Sequence, residues 1–98
     1  MEKVFVLVVD YRNDGDTVND ILGVFRNIDD ARKAMNDAFE TDKNDSWFSI
    51  CYDENGKFDE DYADERGIEL EISKNDISIY ENYWDRFTHF TIKEHKIK

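Results

Sequence analysis

Val4-Phe5-Val6-Leu7-Val8-Val9 is an unbroken apolar run, too short for a typical helix and apolar on both faces at a period of two. It predicts a strand inside a sheet. Asn13-Asp14-Gly15-Asp16 supplies residues that tolerate positive φ, so Val18 to Phe25 returns as the second strand of a hairpin with an acidic tip. Gly23 interrupts that strand, weakening its pairing but allowing a bulge or a close approach by the helix that follows. Asn27 then offers a side-chain oxygen to cap a helix whose first turn carries Asp29 and Asp30. Ile28, Ala31, Ala34, Met35, Ala38 and Phe39 recur at steps of three and four, with Arg32, Lys33, Asp37 and Glu40 between them. The alanines let that face lie close on a sheet, and Thr41 to Ser46 reads as the polar loop that ends the helix.

The second half reads mainly as strands. Trp47 to Tyr52 has a strand pattern, and Asp53-Glu54-Asn55-Gly56 turns it towards Lys57-Phe58. Asp59 to Gly67 is nearly all charge and reads as an exposed loop. Ile68, Leu70 and Ile72 alternate with Glu69, Glu71 and Ser73, the pattern of a strand with one buried and one wet face. Lys74-Asn75-Asp76 turns the chain into Ile77, Ile79 and Tyr80, and after an aromatic loop at Glu81 to Asp85 the segment Arg86 to Ile97 forms a last strand. The expected fold is α+β: a single, mainly antiparallel β-sheet with one helix packed on one face, in an order near β-β-α-β-β-β. At 98 residues the chain supports one hydrophobic core and hence a single domain over 1–98.

Composition adds a partner class. Hydrophobic residues make up 40% and aromatics 14%, which favours a folded chain even though 38% of residues are charged. The net charge is -11, from 24 Asp and Glu against 13 Lys and Arg, and it repels nucleic acid and anionic membranes. The charge is unevenly spread: Asp53 to Glu71 holds nine acids and two bases, while Arg86 to Lys98 holds four bases and one acid. No run approaches the roughly 20 apolar residues of a membrane span. Met1-Glu2-Lys3-Val4 does not open a secretory signal, and Cys51 is the single cysteine, so a cytoplasmic protein without disulfides is expected.

Catalytic and metal chemistry find little footing. Cys51 sits in an apolar stretch with nothing nearby in sequence to lower its pKa, which reads as an inert core thiol. His89 and His95 share a strand face but stand roughly 20 Å apart, too far to hold one metal ion together. Two acidic loops fail the EF-hand pattern. The one starting at Asp10 has Arg12 at a ligand position and Ile21 at its twelfth, and the one setting Gly56 as the loop glycine begins at Cys51 and ends at Tyr62. No phosphate-binding loop, nucleophile elbow or helical histidine pair occurs. The expectation is a protein with no catalytic residues, metal site or cofactor.

Two features suit protein binding. Glu69 and Glu71 lie about 6.6 Å apart on one strand face, directly after an acidic segment, and such an array can occupy a basic groove made for nucleic acid. Tyr80, Tyr83, Trp84 and Phe87 cluster around a loop, where aromatics serve either an interface or the core. The candidate partner-binding residues are therefore Asp59, Glu60, Asp61, Asp64, Glu65, Glu69, Glu71 and Trp84.

Val4 to Val9, the acidic hairpin, Ile21-Leu22-Gly23-Val24-Phe25, Ile28 to Met35 and His89-Phe90-Thr91-Ile92-Lys93-Glu94-His95 together resemble small acidic bacterial α+β proteins of unknown function, often carried by prophages and mobile elements. That resemblance implies the fold and transfers no site. In size and charge the chain is also similar to anti-CRISPR and anti-restriction inhibitors. The expected function is a non-enzymatic acidic inhibitor or DNA mimic that docks on a basic, nucleic-acid-handling protein such as a nuclease. The alternative is a self-associating module that forms a homodimer through exposed strand edges or Trp84, with the acids serving solubility.

Overall fold

The computed structural model describes residues 3–13, 16–81 and 86–96. Five antiparallel strands form one sheet, β1 (Lys3–Asn13), β2 (Asp16–Phe25), β3 (Ile68–Ser73), β4 (Asp76–Glu81) and β5 (Arg86–Lys96), in the order β2-β1-β5-β4-β3. Helix α1 (Ile28–Asp45) packs on one face and a short helix α2 (Glu60–Arg66) lies beside β3. The fold is thus the expected α+β arrangement, with α1 between β2 and β3.

Strand β1 is apolar on both faces because it has a neighbour on each side, β2 and β5. Residues paired across strands point to the same face. One row, Asp20–Val9–Phe90–Ile77–Ile72, therefore faces α1, and the row Asn19–Asp10–His89–Ser78–Glu71 faces away from it. Ala31, Met35 and Phe39 of α1 close the core over Leu7, Val9, Phe90, Ile77 and Ile79. Phe39 stacks on Phe48 at 5.7 Å and meets Phe90 edge-on at 6.4 Å, so one ring ties the helix to both the following turn and the sheet.

The helix starts as the sequence predicts. Asn27 Oδ1 accepts the Asp29 N–H at 2.7 Å. It ends later than expected, at Asp45 rather than before Thr41. Thr41 donates its hydroxyl to the Asp37 carbonyl, and Lys43 lies over the rings of Phe39 and Tyr52, so the polar turn gains helical partners.

Two further readings need correction. Trp47 to Tyr52 is not a strand: Ser49–Cys51 is a 3-10 turn, and only Tyr52 bridges to Phe58. The turn puts both Phe48 and Cys51 at 0% exposure on one side of the chain, whereas an extended chain would point residues three apart to opposite faces. Asp59 to Gly67 is not a loop: Asp59 caps α2, Ala63 is buried, and Gly67 ends the helix at φ 70°, a left-handed conformation that suits glycine.

Gly23 does sit at a bulge, where β1 passes from pairing Gly23 at Leu7 to pairing Ile21 at Val8 and leaves Leu22 unpaired. The close approach there comes from the Phe25 ring, 2.8 Å from where a Cβ would stand, and not from α1. At the end of the sheet Glu81, 3% exposed, accepts from Arg86 Nη2 at 2.9 Å.

Candidate acidic docking surface

Strand β3 pairs only with β4, so it forms one edge of the sheet and its outer backbone groups face away from any strand. The N-cap at Asp59, whose Oδ1 accepts the Tyr62 N–H at 3.1 Å, starts α2 alongside that edge. With Ala63 turned inward, Glu60 and Asp64 share one exposed stripe and Asp61 and Glu65 the next, by the spacing of four.

The structure brings Glu60 and Asp64 of α2 together with Glu69 and Glu71 of β3 around a groove of about 350 Å³, floored by Phe58, Ile68 and Leu70. Asp59, Glu60 and Asp61 border a neighbouring hollow with Asp53, Lys57 and Phe58. Glu65 is exposed but lines neither, and Asp59 is committed to its cap. Trp84 and Tyr83 lie outside the described residues, while Tyr80 and Glu81 belong to β4 and Phe87 to β5.

Among the described residues, the ion pairs of Lys3, Arg32, Lys33, Lys43 and Arg86 all go to carboxylates outside α2 and β3. Arg66 instead lies over the Tyr62 ring at 5.1 Å. Glu69 accepts a hydrogen bond from the Tyr80 hydroxyl. That bond, with burial and the charges of Glu69 and Glu71, raises the Tyr80 pKa to about 12. Tyr80 therefore stays a neutral donor to Glu69 at neutral pH.

The sheet face opposite α1 carries a second polar group that sequence reasoning did not assemble. His89 Nε2 lies 2.8 Å from both Asp76 Oδ1 and Thr91 Oγ1, next to Asp10, to which Asn19 donates a hydrogen bond. Cross-strand register was the missing signal, because these residues lie on four different strands. His95 is on the same face, six positions from His89 along β5, and has no share in this group.

Cys51 is fully buried, and burial, then Glu81 and Asp59, push its thiol pKa up, the opposite of what an activated nucleophile needs. No grouping of His, Cys, Asp or Glu suited to a metal ion occurs among the described residues. No helix among them is long and apolar enough to cross a membrane. Comparison with known protein families, curated proteins and solved structures finds no match to this chain.

Proposed function

We propose that the protein is a non-enzymatic docking protein whose acidic end, built by α2 and β3, engages a basic groove on a nucleic-acid-handling protein and competes there with nucleic acid. The observation that carries this reading is the convergence of Glu60, Asp64, Glu69 and Glu71 on one groove, none of them in an ion pair among the described residues. Like charges four apart on a helix cost roughly 0.2–0.5 kcal/mol per pair. Glu60 with Asp64 and Asp61 with Glu65 are two such pairs within a seven-residue helix. A basic partner relieves that repulsion and is steered in by the same field.

The test is affinity capture of a cellular extract on the immobilised protein, with bound proteins eluted by a DNA duplex. A nucleic-acid-binding protein released by the duplex is the expected catch, and the Glu60→Gln, Asp64→Asn, Glu69→Gln, Glu71→Gln variant should fail to capture it while keeping its circular dichroism. A variant that captures the same protein equally well overturns the reading.

A second reading rests on β2. This strand is the other sheet edge, and Ile21 and Val24 on it are 66% and 60% exposed. A homodimer across that edge would cover both, and sedimentation over a range of concentrations decides it.

A further inference from the structure

Helix α1 packs on β1, β5 and β2, and a cleft of about 570 Å³ lies between its C-terminal half and the sheet. Small-molecule sites usually enclose about 300–1,000 Å³. The floor is Val9 and Phe90, both buried, and one wall is Leu22, which the bulge beside Gly23 leaves unpaired at the strand edge. The opposite wall is Trp47, fixed in place because its indole N–H donates to the Thr88 hydroxyl at 3.1 Å. One face of Trp47 already carries Arg86, whose charge is matched by Glu81, so the indole is clamped from outside the cleft.

Around this apolar interior stand Asp20, Asp42 and Asp45, with no lysine, arginine or histidine among the described residues that line it. None of the three is in an ion pair among the described residues. The 18-residue α1 also ends here, adding the negative end of its dipole. Asp42 is half-buried, and burial, then the charge of Asp45, raises its carboxyl pKa from the usual carboxylate value. A cation settling beside these two carboxylates removes their repulsion and restores to Asp42 the solvation it has lost.

We propose that this cleft binds an organic cation, an ammonium or guanidinium group carried on an apolar body, with the body between Leu22, Trp47 and Phe90 and the charge against Asp42 and Asp45. Neither an anion nor a bare metal ion suits it: the first meets three carboxylates, and the second leaves the apolar floor unused. The chemistry is supplied either by a free amine or by a basic side chain on a peptide. The site is separate from the acidic groove of α2 and β3, which is lined by other elements.

The test is a nuclear magnetic resonance titration of the full chain with phenethylammonium, with a capped Ala-Arg-Ala peptide as the second arm and phenethyl alcohol as the neutral control. At least one cation should produce saturating shifts at the Trp47 indole N–H and the Asp42 and Asp45 amides at concentrations up to about 10 mM. Saturation by the amine marks a small-molecule site, and saturation by the peptide alone marks a pocket for a partner's arginine. The alcohol should bind about tenfold more weakly, and Asp42→Asn with Asp45→Asn should weaken the cation by a similar factor. Glu60→Gln with Asp64→Asn should change nothing, which separates this site from general attraction to an acidic protein. No saturation with either cation, equal binding of the alcohol, or shifts confined to α2 would overturn the proposal.

Discussion

Tyr52 contributes its ring to the aromatic cluster, meeting Phe58 at 5.3 Å and Phe39 at 6.3 Å, yet its hydroxyl is buried with no hydrogen-bond partner among the described residues. Burial, with Cys51 and Glu40 adding, raises its pKa to about 12 from 10.0. A buried unsatisfied hydroxyl costs about 1–3 kcal/mol, so Tyr52→Phe should raise stability near neutral pH by about 1 kcal/mol. The alkaline limb gives an independent reading. Between pH 10 and 12 the unfolded Tyr52 loses its proton before the folded one does, so the unfolded state binds fewer protons and stability falls as pH rises. The phenylalanine variant lacks that ionisation and should lose part of the fall, although Tyr80, also raised to about 12, retains its own share. Denaturant unfolding at pH 7 and at pH 11 measures both, and a variant less stable than its parent at pH 7 would mean that the hydroxyl has a partner after all. The unmet hydroxyl was not legible in the sequence, because satisfaction depends on what the folded chain places around it.

Elements differ in how much of their stability is local. At the start of α1 the cap is local, since Asn27 accepts from Asp29 two residues on. Asn27→Ala should cost about 1 kcal/mol, read as a lower urea midpoint with an unchanged slope, and a change of slope would mean that the whole helix had loosened. This end was legible from the sequence because capping is a short-range matter. The other end was not: residues 41–45 look like a loop, and Lys43 over Phe39 and Tyr52 holds them in the helix. Trp47 to Tyr52 misled in the same way, for its alternation mimics a strand, while the core needed Phe48 and Cys51 both inward and bent the chain into a 3-10 turn. The candidate site was half legible. Its carboxylates stood out as charge, and Glu69 and Glu71 were correctly put on the exposed face of a strand. The dense acid of residues 59–66 hid a helix whose marks, a capping Asp59, one inward Ala63 and a terminal Gly67, are each common by themselves. Without that helix nothing brings Glu60 and Asp64 to the same groove as Glu69 and Glu71.

Taken as a whole, the molecule carries a net charge of -11 on a body 48 Å by 30 Å by 19 Å, so its acids repel one another across and along it. Its ion pairs do little against this, because those of Lys3, Lys33 and Lys43 are exposed on at least one side and such pairs are worth about 0–1 kcal/mol. Sodium chloride shortens the Debye length from about 30 Å at 0.01 M to about 3 Å at 1 M, which silences the repulsion while leaving the aromatic core intact. The melting temperature should therefore rise with sodium chloride, whereas docking on a basic partner, driven by the same charges, should weaken. The two slopes have a common origin and opposite signs. Neutralising Glu60, Asp64, Glu69 and Glu71 together should flatten both, raising the melting temperature at low salt while removing the salt-sensitive part of the affinity. If those four changes flattened only the stability slope, the repulsion would be real but the partner would sit elsewhere on the surface. If they flattened only the binding slope, the acidic groove would be a docking surface whose charges the fold tolerates at no measurable cost. A melting temperature that falls with sodium chloride would show that attractive pairs outweigh repulsion, and would take away the energetic reason for a cationic partner at that groove.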